Sequence, residues 1–279
     1  MIPLKRVLTA LIGIAIMVPV SIFSHTLVWP LVMTMLSVIA TFEILRAVGI
    51  HKKAVFAVPF YGFSLLPTAT WIFFDHRSDL YRIIVAAIFL LFLCEFLSIL
   101  LTKNSVPGEK IYSAIALVSY VVLAFTALTM SRRFDNGEYL FLLIFIGAWV
   151  SDTFAFLTGK LLGKHKLCPE ISPHKTVEGA IGALVADALF FGLYAFILQQ
   201  FFHTPAGILQ FTLLGAALSI MGQLGDMFAS SVKRYYGIKD YGNILPGHGG
   251  VLDRFDSILG ISCALFLFYS VFGSGVLIK

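Results

Sequence analysis

The chain has 279 residues, 59% of them hydrophobic and only 13% charged, and its 20 Lys and Arg outnumber 15 Asp and Glu to give a formal net charge of +5. A mean hydropathy of +0.93 excludes a water-exposed globule. Apolar stretches long enough to cross a hydrocarbon core, about 20 residues each, recur along the whole length, which predicts an all-α, polytopic integral membrane bundle with no separate soluble domain.

Cutting at charged and Gly/Pro-rich breaks predicts nine spans, near 7–24, 27–48, 54–74, 81–102, 111–130, 139–160, 177–202, 207–235 and 251–275. The first follows Lys5-Arg6 as a signal peptide would, but no small-residue cleavage site precedes Trp29-Pro30, so it reads as a retained span. Pro59 and Pro67 predict a kinked third span. Alternating the spans puts fifteen of the 20 Lys and Arg on one side and five on the other. By the positive-inside rule the amino terminus and the loops after spans 2, 4, 6 and 8 are then cytoplasmic, in what reads as a bacterial inner membrane. Anionic headgroups and a phosphorylated substrate account for the net positive charge, and no basic patch interleaved with aromatics suggests nucleic acid. Cys94, Cys168 and Cys263 share no metal-ligand spacing and read as packing residues.

Residues 1–140 carry few intramembrane charges, chiefly Glu43, Arg46 and Glu95, and read as scaffold helices. Residues 141–279 read as the catalytic transmembrane region with cytoplasmic motif loops, the two parts forming one integrated membrane domain. No internal repeat supports an inverted-repeat transporter. Glu43 with Arg46, and Asp187 in the seventh span, read as buried pairs or polar glue and are left outside the site.

Asp226, Ser230 and Lys233 fall at i, i+4 and i+7, so a carboxylate, a hydroxyl and an ammonium group share one helix face. Gly222 and Gly225 let a backbone or ligand approach that face. A helix–helix hydrogen-bond cluster would also place an Asp there. Asp253 and Asp256, at i and i+3, open the last span; capping alone explains one carboxylate at a helix N-terminus but not both together with Asp226. Magnesium takes one or two carboxylates plus phosphate oxygens and water, so three Asp brought together suit one or two divalent sites, and Mg²⁺ with room for a second cation is the preferred reading. Ahead of that helix, Gly249 and Gly250 can turn backbone N–H groups toward an anion, and His248 serves either as a phosphate donor or as a cap.

A second polar block begins with Asp152 inside the sixth span, where a carboxylate is costly and so a functional candidate. It continues through Lys160, Lys164 and Lys166 to Ser172-Pro173-His174-Lys175-Thr176 and Glu178-Gly179. Thr176 reads as a helix cap, and Lys175 as a cation for phosphate or for lipid headgroups.

The order Ser230-x-Val232-Lys233-Arg234-x4-Lys239-Asp240-x-Gly242-x2-Leu245-Pro246-x-His248-Gly249-Gly250-Val251-x-Asp253-Arg254-Phe255-Asp256 resembles, without gaps, the signature of the phosphatidate cytidylyltransferases, or CDP-diacylglycerol synthases. Asp152, the 159–164 segment, Ile171-Ser172-Pro173 and Lys175-Thr176-x-Glu178-Gly179 resemble the family's other block, so the likeness covers about residues 147–260. His174 stands where the family usually has a first lysine, which weakens an anion site there. The resemblance implies attack of the phosphatidic acid phosphate on the α-phosphorus of CTP, giving CDP-diacylglycerol and pyrophosphate. It implies Asp226, Asp253 and Asp256 as Mg²⁺ ligands and Lys233, Arg234 and Arg254 as phosphate clamps. Ser230 would be a ligand to metal or phosphate, with Asp152, Lys175, Lys239, His248, Gly249 and Gly250 on the substrate side. The implied partners are CTP, phosphatidic acid and membrane lipids; a homodimer is left open.

Overall fold

The computed structural model describes residues 13, 15, 17–73, 77–103, 105–244 and 249–278. The first part of the predicted first span, with Lys5 and Arg6, lies outside the described residues, as does His248; residues 17–22 are helical. The described helices are α1 (Val28–Val48), α2 (Ala54–Phe63), α3 (Leu66–Phe73), α4 (Arg77–Leu101), α5 (Gly108–Met130), α6 (Gly137–Leu140), α7 (Leu142–Leu162), α8 (Val177–Phe202), α9 (Ile208–Tyr235) and α10 (Leu252–Phe272). Among the described residues they supply eight segments long and apolar enough to cross a membrane, with α2–α3 and α6–α7 each counting as one. These match predicted spans two to nine.

The kinked span breaks where proline chemistry places the break. Helix α2 tolerates Pro59, whereas Pro67 is the second residue of α3, where a helix does not need its N–H. At the break Ser64, the C-cap of α2, donates through Oγ back to Tyr61 O at 2.7 Å.

One feature departs from the sequence reading. Between α7 and α8, where a plain loop was expected, Lys166–Cys168 (β1) and Ser172–Thr176 (β2) form an antiparallel hairpin with Lys166 opposite Thr176. Five strand residues separated from three by a short turn are too few to show a period-2 pattern.

The chain folds as two compact units: residues 1–130 with 236–254, and residues 131–235 with 255–279. In the first, α1 packs on α5 and α3. Trp29 is fully buried and donates through Nε1 to Thr129 O at 3.2 Å. Thr34 and Thr68 share a hydroxyl hydrogen bond of 2.7 Å, and Ser98 donates to Val55 O at 3.0 Å. Such side-chain bonds matter in hydrocarbon, where no water competes for the donors. Helix α4 turns Val85, Phe89 and Leu101 outward, each at least 66% exposed, as lipid solvent allows.

In the second unit, α8 packs along both α7 and α9. Asp187 on α8 is fully buried near the hydroxyl pair Ser151–Ser219, whose oxygens are 3.2 Å apart. Helices α9 and α10 meet where Gly225 faces Gly260: a Cβ on Gly225 would sit 2.6 Å from Asp256 O and 3.2 Å from Gly260 Cα, and one on Gly260 would sit 2.5 Å from Met221 O. Small residues at such a crossing let backbones touch. The three cysteines are free and half-buried.

Gly260→Ala is therefore expected to destabilise the second unit by about 1–3 kcal/mol through overpacking. A lower melting midpoint of the detergent-solubilised protein checks it; an unchanged midpoint refutes the close crossing.

Candidate active site

The second unit gathers most of the candidate residues. Helix α9 carries Asp226, Ser230 and Lys233 on one face, as the spacing predicts; Ser230 and Lys233 are buried and Asp226 half-buried. Ser230 donates through Oγ to Asp226 Oδ1 at 3.4 Å. The β-hairpin brings in Lys175, whose Nζ lies 2.6 Å from Asp226 Oδ2, both side chains about one-quarter exposed. Lys175, read from sequence as a cation for phosphate or headgroups, is thus ion-paired to the carboxylate proposed as a metal ligand. Asp256 on α10 lies within electrostatic range of Asp226, Asp152 and Lys233, and its Oδ1 accepts Ser257 N at 2.9 Å. Asp152 itself is exposed on α7.

The hairpin that delivers Lys175 is fastened at both ends. Arg234 donates through Nε to Ile171 O at the hairpin turn, 3.3 Å away. Glu178, in the first turn of α8, accepts Lys164 N at 3.1 Å and His165 N at 3.2 Å and lies 2.6 Å from His165 Nδ1. Thr176 caps α8 by accepting Gly179 N at 3.1 Å, so strand, cap and helix start are one continuous device. His174, on the same strand, is exposed.

The first unit holds the glycine-rich turn. Asp253 is buried, and its Oδ2 accepts Tyr241 N at 2.8 Å and Gly250 N at 2.9 Å. One of the backbone donors expected to face an anion is thereby committed to Asp253. Gly249 takes a left-handed φ of 87°, which suits glycine. Lys239 and Arg254 are exposed. Two residues that sequence reasoning left out enter here. Fully buried Glu43 accepts Val251 N through Oε1 and Leu252 N through Oε2, both at 2.9 Å, and Arg46 donates to Tyr241 O. The only sequence signal was an acid and a base one turn apart in an otherwise apolar span.

Among the described residues no three His, Cys, Asp or Glu side chains are gathered closely enough to hold a metal ion. Asp226 and Asp256, with a hydroxyl and two ammonium groups around them, still form a donor set of the kind Mg²⁺ uses, since that ion takes one or two carboxylates and completes its shell with phosphate oxygens and water.

Eight apolar helical segments long enough to cross a membrane, among the described residues, with paired carboxylates and ammonium groups among them, define a polytopic helical membrane protein. The chain belongs to the cytidylyltransferase family, whose model matches residues 4–272. It is similar to the phosphatidate cytidylyltransferase of Staphylococcus haemolyticus (strain JCSC1435), 34% identical over 258 residues that cover 91% of this chain and 94% of that protein. It is also similar to the phosphatidate cytidylyltransferase of Bacillus subtilis (strain 168), 37% identical over 62% of this chain and 63% of that protein. The enzyme of the same name from Staphylococcus aureus (strain COL) is 40% identical over 57% of this chain and 59% of its own length.

Because Glu178 fastens the start of the hairpin, Glu178→Ala is expected to speed tryptic cleavage at Lys164 and Lys166 several-fold in the detergent-solubilised protein. Cleavage at the wild-type rate would show that the hairpin is held by other contacts.

Proposed function

We propose that this chain is a phosphatidate cytidylyltransferase that makes CDP-diacylglycerol and pyrophosphate from CTP and phosphatidic acid, with Mg²⁺ as cofactor. The observation that carries the reading is the Lys175–Asp226–Ser230 cluster beside Asp256 and Lys233, because it combines anion-binding and cation-binding groups in one place. Family membership and the similarity to enzymes of that name support it.

The chemistry asks little covalent work of the protein. A phosphate monoester is largely ionised near neutral pH, so its oxygen attacks the α-phosphorus of CTP without a general base. The new phosphorus–oxygen bond forms as the bond from the α-phosphorus to the bridging oxygen breaks, and pyrophosphate leaves with that electron pair. Catalysis then rests on alignment and on neutralising oxygen charge. Asp226 and Asp256 would hold Mg²⁺, which when bound supplies charge stabilisation to phosphate oxygens. Lys233 and Ser230 face the same ligand side of α9, and Arg234 fixes the hairpin while its remaining guanidinium donors serve phosphate. Lys175 neutralises Asp226 until ligands take over that task. In the first unit, exposed Lys239 and Arg254 are assigned to phosphate groups, and Asp253 holds the turn that carries Gly249 and Gly250.

A diacyl lipid presents its phosphate at the membrane interface while CTP arrives from water. The distribution of Lys and Arg supports an orientation with the motif loops toward the cytoplasm, and the similarity to bacterial enzymes supports a bacterial inner membrane setting.

In mixed micelles of purified protein, phosphatidic acid, α-labelled CTP and Mg²⁺, wild type is expected to place label in lipid and release pyrophosphate. Chelation should abolish the activity and added Mg²⁺ should restore it. Asp256→Asn is expected to lower kcat at least 100-fold, about 2.7 kcal/mol of transition-state stabilisation. Release of CDP in place of pyrophosphate would indicate a lipid kinase, and no lipid product from folded wild type would sink the proposal.

A further inference from the structure

We infer that Glu43, a buried carboxylate in the scaffold helix α1, is a positioning residue for the transfer reaction: it fixes residues 249–254 by capping the first turn of α10 from 208 positions away. The inference rests on the cytidylyltransferase reading above.

A helix begins with N–H groups that have no partner inside the helix, and they are usually served by a side chain immediately upstream. Here they are served across the unit. Glu43 has no exposed surface, and each of its oxygens accepts one backbone N–H, from Val251 and Leu252, at 2.9 Å. A carboxylate in this place also gains from the helix dipole. The chain is shaped around it: a Cβ at either Gly242 or Gly250 would run into the Glu43 carboxylate. One turn further along α1, Arg46 donates to Tyr241 O, and the N–H of the same Tyr241 goes to Asp253.

These bonds form a closed frame. Helix α1 grips Tyr241 from one side and residues 251–252 from the other, and Asp253 ties Tyr241 to Gly250 within it. What the frame carries is the signature itself, Gly249, Gly250, Asp253 and Arg254. Glu43 acts on the reaction only through those residues, since both of its oxygens are spent on backbone.

Glu43→Gln keeps shape and volume but turns an amide NH₂ toward a backbone N–H, so one acceptor becomes a donor facing a donor. A small misplacement of aligned groups can cost about 100-fold in rate. For Glu43→Gln in the full-length protein we expect kcat per folded molecule to fall at least tenfold, with KM for phosphatidic acid changed less than threefold. Hydrogen exchange in peptides spanning 249–254 should accelerate while that of α5 stays as in wild type. Glu43→Asp, which keeps the charge, should recover part of the loss. Glu95→Gln, at a buried carboxylate of α4 whose oxygens have no hydrogen-bond partner among the described residues, should keep wild-type kcat. A role in bundle stability alone would lower the folded yield and leave kcat unchanged, which overturns the inference, as does unaltered exchange at 249–254. If wild type makes no CDP-diacylglycerol, the cytidylyltransferase reading falls, and the exchange result alone decides whether Glu43 fixes this segment.

Discussion

A carboxylate that stays charged inside an apolar bundle must be given donors by the protein, because hydrocarbon offers none and a bare charge there is costly. In each unit that requirement is met by a loop or hairpin. Asp226 receives Lys175 from the β-hairpin and Ser230 from its own helix. Glu178, outside the apolar interior in the first turn of α8, likewise receives the backbone of residues 164 and 165. Asp253 closes the glycine turn, and Glu43 takes the start of α10. These four acids are thus points where irregular chain is pinned to rigid helix, and the pinned chain carries Lys175, Gly249 and Gly250.

The same requirement changes the meaning of the glycines. Read locally, the turn ahead of α10 is a flexible cradle with N–H groups for an anion. In the structure the Gly250 N–H is given to Asp253, and Gly242 and Gly250 are small because Glu43 lies against them. Part of a pattern that looks like ligand recognition is therefore support for the residues that follow it. Substituting these glycines would disturb the frame before it disturbed any ligand contact.

Much of this was legible in the sequence because it depends on local pattern. Apolar runs bounded by charge located the spans from α1 to α10 within a few residues, and helical spacing put Asp226, Ser230 and Lys233 on one face. Two features were not legible. The hairpin is short and polar, with Ser172-Pro173-His174 resembling a loop, and it exists because α7, α8 and Arg234 hold it at its ends. By sequence Glu43 reads as a buried pair or polar glue, because its partners lie 208 and 209 positions away and nothing in a helical period reports contacts at that range.

That failure has a physical source. Local propensity and spacing describe what a segment does with its own backbone, whereas capping from a distant helix is decided only when the fold has brought donor and acceptor together. The first unit shows the consequence in its composition: it joins residues 1–130 with 236–254, so a segment of the signature folds with the amino-terminal helices. Sequence signatures mark the residues that meet ligands, while the acid that orders some of them sits in a span that reads as scaffold. In a membrane bundle an ionisable residue far from any motif is best interrogated by asking which backbone groups it satisfies, since each such bond fixes a piece of chain that hydrocarbon could not otherwise tolerate.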